Sequence, residues 1–328
     1  MDWKDAILAA GAVPASHVPE ESTGRGDLTE VAGAELVEDT ELSIHPVDRA
    51  ATTPATVSFL DGIQRWKVVY YDGVVPIVRA YVAAGVRRRT GRQLRTAAQA
   101  SRQIHIAPLA ALRPAVREAL ESSGLEPVDS GEDGAAQPGR ALDAARRVVE
   151  NERVQIEKDL GERHAASLGT GEWLILDGVL SESAILARHP RILGVIKSHG
   201  AQYFVGDELT RALTLPDGHR TSVFRPRGRA RHEVFSWYLR MWPWEGNDIL
   251  FGLLRIEARP DAATPAIASA VSGWLARERA PVSTPDPRWD RLLYPVHDVE
   301  MYLRARAPRD LVASGASRLP VPSARTGT

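Results

Sequence analysis

Two short stretches decide how this chain is read: WLILDGVL, Trp173 to Leu180, and the earlier VSFLDGI, Val57 to Ile63. Each is an apolar run that ends on Leu-Asp-Gly. Asp-Gly is a common turn after a strand, so two turns would account for both. Two buried strands that each deliver an acid at their end would also set two carboxylates, Asp61 and Asp177, side by side. That is the outline of a site for hard cations, which favour carboxylate oxygens.

The bulk composition leaves room for such a site and removes others. The chain has 328 residues, 44% hydrophobic and 25% charged, in the range of a globular protein with a core. The absence of cysteine excludes thiolate metal sites, disulfides and cysteine nucleophiles, and cytoplasmic localisation is the simplest expectation. No window approaches the length of a membrane span, and the start MDWKDAILAAG lacks the basic opening of a signal peptide. A formal net charge of −1 means that any nucleic-acid contact must come from local basic runs.

Along the chain, residues 1–50 read as a helical extension, with helices over Trp3–Ala10 and Asp27–Val37. Strands follow at Thr56–Leu60 and Arg65–Tyr71, then a third after the Asp72-Gly73 hairpin signal. Gln93–Ser122 reads as mostly helical, the polar segment after it as a loop, and Leu142–Leu160 as a clear helix. Strands at Trp173–Leu176 and Leu193–Ile196, a late hairpin across WPWEGND and a helix after Tyr294-Pro295 complete the series. The fold class is α/β: a mixed sheet opening with a three-stranded antiparallel meander and flanked by helices. Residues 51–307 form the main domain and 308–328 a disordered tail.

Helical arithmetic on DAARRVVENERVQIEKDL supplies a third acid. Ala141, Ala145, Val148, Val149, Ile156 and Leu160 share a stripe that includes Glu152, whereas Glu150 and Glu157 face away. A carboxylate on a buried stripe needs a metal or a salt bridge with an arginine, and both stay open.

Asp61-Gly62 on a first strand, an acid on the following helix and LDGVL on the next strand resemble the NurA family of nucleases. GVIKS (Gly194–Ser198), FSWYLRM with LLRIEARP, DPR (Asp286–Arg288) and YPVHDVEMYLRAR extend the resemblance over residues 55 to 306. It implies an RNase H-like core, a DNA nuclease using Mn2+ or Mg2+ in a two-metal-ion mechanism, and work in DNA repair or antiphage defence. It also implies a homodimer partnered with a HerA-like hexameric ATPase. The metal ligands would be Asp61, Glu152 and Asp177, with His297 or Asp298 completing the catalytic set. The family's Asp-Gly-Ser departs here to Asp-Gly-Ile at Ile63. Lys197 is a candidate phosphate holder, with a solvated lysine as the plain reading. Arg87, Arg88, Arg89 and Arg92 form a candidate DNA-binding run, as do Arg225, Arg227, Arg229 and Arg231. Trp237, Trp242 and Trp244 could stack on bases or pack a hairpin tip. A catalytically degenerate scaffold or DNA-binding partner of an ATPase is the alternative function.

Overall fold

One mixed sheet runs through the computed structural model, which describes residues 30–131, 137–228, 230–281, 286 and 288–312. In chain order the strands are β1 (Glu30–Val31), β2 (Ala34–Leu36), β3 (Ile44–Pro46), β4 (Thr56–Asp72), β5 (Val75–Thr90), β6 (Gln93–Ala107) and β7 (Glu126–Asp129). Then come β8 (Trp173–Asp177), β9 (Ile192–Ile196), β10 (Ala201–Gln202), β11 (His219–Thr221), β12 (Phe224–Pro226), β13 (Phe235–Arg240) and β14 (Leu253–Ala258). The helices are α1 (Pro114–Glu121), α2 (Pro138–Ala165), α3 (Ala184–Arg188), α4 (Gly206–Leu213), α5 (Thr264–Ala276), α6 (Tyr294–Arg304) and α7 (Arg309–Val312). Helices α1, α2, α5 and α6 each carry proline in the first turn, where its missing N–H costs nothing.

The central order is β6-β5-β4-β8-β9. β4, β5 and β6 are an antiparallel meander, and β4, β8 and β9 run parallel. This is the RNase H-like arrangement, extended by β14, β13, β12 and β2 on one side and by β7 on the other. Side chains alternate across β4. Phe59 and Ile63 join a core with Trp237, Val271, Val296 and Leu303, under α5 and α6. Leu60 packs with Leu160 and Leu176 on the opposite, α2 face.

Five expectations change, and one falls outside the described residues. Residues 30–46 supply strands, not a helix over Asp27–Val37; β2 and β3 pair with β12 and β11. The first predicted helix, Trp3–Ala10, lies outside the described residues, as does the tail beyond Val312, while Arg309–Val312 is helical. β4 does not stop at Leu60 but continues through Asp61-Gly62 to Asp72. Gln93–Ala107 is strand although rich in Ala, Gln and Arg, because pairing with β5 along its length overrides helix propensity. The polar segment after α1 likewise contains β7, paired to β6.

Candidate active site

The register of β4 against β8 places the two acids. Leu60 is opposite Leu176 in a parallel pair, so Asp61 and Asp177 follow in step on neighbouring strands. Each lies two residues beyond a core residue of the α5/α6 face, Phe59 and Ile175, so by strand alternation both point to that face. Asp61 is 8% exposed, and its Oδ1 accepts the Gly62 N–H at 2.7 Å. Asp177 accepts from Lys197 Nζ at 2.6 Å. Lys197 follows β9, and Arg291 Nη1 donates to its backbone carbonyl at 3.1 Å, fixing where the ammonium emerges.

A third carboxylate comes from α2, and glycines decide which. Gly161 faces the sheet, where a Cβ would make ordinary contact at 3.4 Å with Leu60 and 3.6 Å with Leu176, the residues just before the two aspartates. One turn earlier, Glu157 lies over Gly62, where a Cβ would come within 2.7 Å of its Cδ. Arg153, a turn before that, is ion-paired to Glu157. Burial pushes the Glu157 carboxyl up to about 7, against the pull of Arg153 and with Asp177 adding to the rise. Burial also holds Asp61 well above the usual carboxylate range, Asp177 raises it further, and Lys197 opposes.

The fourth acid is on α6. Gly85, directly across from Asp61 on β5, leaves room for the helix: a Cβ would meet Leu303 at 3.1 Å and Val299 at 3.4 Å. That close approach sets Glu300 near enough to raise the Asp61 pKa. Glu300 shares a cluster with Asp286 and His297, whose ligand atoms all lie within 4.8 Å of one another. His297 Nδ1 is 3.7 Å from Glu300 and 4.0 Å from Asp286, is buried and has no hydrogen-bond partner. Arg288 bridges Asp286 at 3.0 Å and Glu300 at 3.4 Å.

Other sequence candidates are placed elsewhere. Glu152 is ion-paired to Arg102 on β6, the salt-bridge reading of that residue. The buried stripe drifts around α2, from Ala141, Ala145 and Val149 to Leu160, Gly161 and Ala165, so a straight stripe misassigned the faces of Glu152 and Glu157. Asp298 accepts from Arg87 at 2.8 Å, on a different side of α6 from Glu300. Arg88 and Arg89 are ion-paired to Glu172 and Glu278, so the arginines of this run are neutralised within the fold; Arg92 is exposed at the β5–β6 turn. Arg225, Arg227 and Arg231 also face acids, and Arg229 lies outside the described residues. Trp237 is fully buried, Trp242 packs on Trp289, and Ile63 is core. Sequence reasoning missed Glu157 and Glu300; the signal for Glu157 was the i+4 glycine, Gly161.

No known protein family matches the sequence, and no curated protein matches it. Among solved structures, the NurA nuclease of Sulfolobus solfataricus superposes with a TM-score of 0.46 at 11% identity, over 83% of this chain and 81% of that one. The catalytic domain of human endonuclease V gives 0.33 at 16% identity, over 84% and 92%. Among the described residues, no helix is long and apolar enough to cross a membrane.

Proposed function

We propose that the chain is a divalent-metal-dependent deoxyribonuclease. The observation that supports this reading is that Asp61 and Asp177, in step on parallel strands, lie near enough to Glu300 of α6 and to Glu157, which covers Gly62 from the α2 side, for their charges to be felt. The donor set fits Mn2+ or Mg2+: it is all carboxylate and largely buried, and burial, with neighbouring negative charge adding to it, raises the pKa of Asp61 and Glu157. When bound there, one or two such ions supply water activation and leaving-oxygen stabilisation.

The chain's own groups do the rest. Lys197 and Arg153, ion-paired to Asp177 and Glu157, are the cations beside these acids that could hold a phosphate. His297, with its unpartnered Nδ1 between Asp286 and Glu300, is the group placed to take up or deliver a proton. Partnership with a HerA-like ATPase and a homodimeric state are supported by the sequence resemblance alone. The test is cleavage of labelled single- and double-stranded DNA with Mn2+. Wild type should cleave and folded Asp177→Asn should not; full activity in Asp177→Asn would place hydrolysis elsewhere.

A further inference from the structure

Every acid of the cluster except Asp61 faces a cation. Lys197 stands on Asp177, Arg153 on Glu157, and Arg288 on both Asp286 and Glu300. Asp61 accepts the Gly62 N–H, and no side-chain cation pairs with it among the described residues. Arg288 stands where an ion would be expected. The ligand atoms of Asp286, His297 and Glu300 lie within 4.8 Å of one another, close enough to share an ion. His297 Nδ1 faces Asp286 Oδ2 at 4.0 Å and Glu300 Oε2 at 3.7 Å. Arg288 Nη2 donates to those same two oxygens, at 3.0 and 3.4 Å. Its Nε and its backbone N–H donate to Asp286 Oδ1 at 3.2 and 2.8 Å, which fixes the guanidinium as a fork. Asp286, then Glu300 and Asp177, hold this guanidinium in its charged form, so its charge also reaches the acid of β8.

We propose that the site takes one divalent cation, on Asp61, Asp177 and Glu157, and that the Arg288 guanidinium fills the position of a second. The proposal rests on the metal-site reading above and specifies its ion count. In a two-ion site the second cation stabilises charge on the phosphate. Arginine stays charged, and its N–H donors match carboxylate and phosphate oxygens alike. Arg288 supplies that charge permanently, with Asp286 and Glu300 as its counter-ions. A divalent ion on Asp286 Oδ2 and Glu300 Oε2 would have to displace Nη2 from both. A guanidinium has no acceptor with which to ligate a metal, so ion and arginine exclude each other there. A plain salt bridge would leave the ion count unchanged when Arg288 is removed.

The test is calorimetric titration of Mn2+ alone into the full chain, without DNA, with circular dichroism to confirm that each variant is folded. Wild type should take up one ion per chain, and Asp177→Asn none. Arg288→Gln frees Asp286, His297 and Glu300 and should raise the count to two, and Arg288→Gln/Asp177→Asn should retain one. Arg304→Gln removes a different cation from Glu300 and should leave the count at one. Two ions in wild type would overturn the proposal, whatever the variants do, and leave the nuclease reading standing. So would a single ion in folded Arg288→Gln, or two in Arg304→Gln. No ion bound by wild type would overturn both.

Discussion

Leu60-Asp61-Gly62 and Leu176-Asp177-Gly178 are the same tripeptide in two different structures. In β4 the strand runs straight through Asp61 and Gly62, held by β5, and Gly62 is needed because Glu157 occupies the space of a side chain. In β8 the strand ends at Asp177, and Gly178 turns away with φ of 142° while nothing lies near its missing Cβ. One glycine makes room for a carboxylate and the other permits a backbone. The shared motif therefore marks position beside a neighbouring strand rather than a common local conformation.

The comparison can be broken first at the acids. Asp61→Asn and Asp177→Asn should each lower Mn2+-dependent cleavage by more than about a hundredfold, since each is placed as a direct ligand rather than a supporting group. Unequal losses, with one variant near wild type, would separate the twins. The glycines should then differ in kind. Gly62→Ala displaces Glu157 and should cost about 10–100-fold in activity with little change in melting temperature. Gly178→Ala should instead lose about 1–3 kcal/mol of stability through backbone strain, visible in urea unfolding.

A smaller effect concerns pH. The folded Glu157 pKa of about 7 exceeds its reference value of 4.5, so the native state binds more protons than the unfolded chain between those values. Its contribution to stability is present at low pH and is lost as pH rises through that window, and Asp61 acts in the same direction. In EDTA, Glu157→Gln should therefore gain melting temperature over wild type as pH is raised from about 5 to about 8. A constant difference would mean that Glu157 is not strained in the folded state.

Much of the fold was legible because apolar runs and turn residues punctuate it: β5, β8, β9, β13, β14, α2 and α6 lie where the patterns put them. β6 was not, since an Ala-, Gln- and Arg-rich segment carries little strand preference and is fixed by its neighbours. The strands at 30–46 were hidden for the same reason, being short and paired to segments about 180 residues away in sequence. At the site, the aspartates could be named from their place at the ends of apolar runs. The helix acids could not, because α2 lies across a twisted sheet and its buried face rotates along its length.

The central claim is that Glu157, and not Glu152, joins Asp61 and Asp177 in holding a divalent ion. The most direct measurement is the rise in melting temperature caused by Mn2+ in wild type, Glu157→Gln and Glu152→Gln, since an ion that binds only the folded state stabilises it by mass action. Wild type and Glu152→Gln should show the same gain, and Glu157→Gln should lose most of it. A gain kept in Glu157→Gln and lost in Glu152→Gln, or no gain in wild type, would contradict the account.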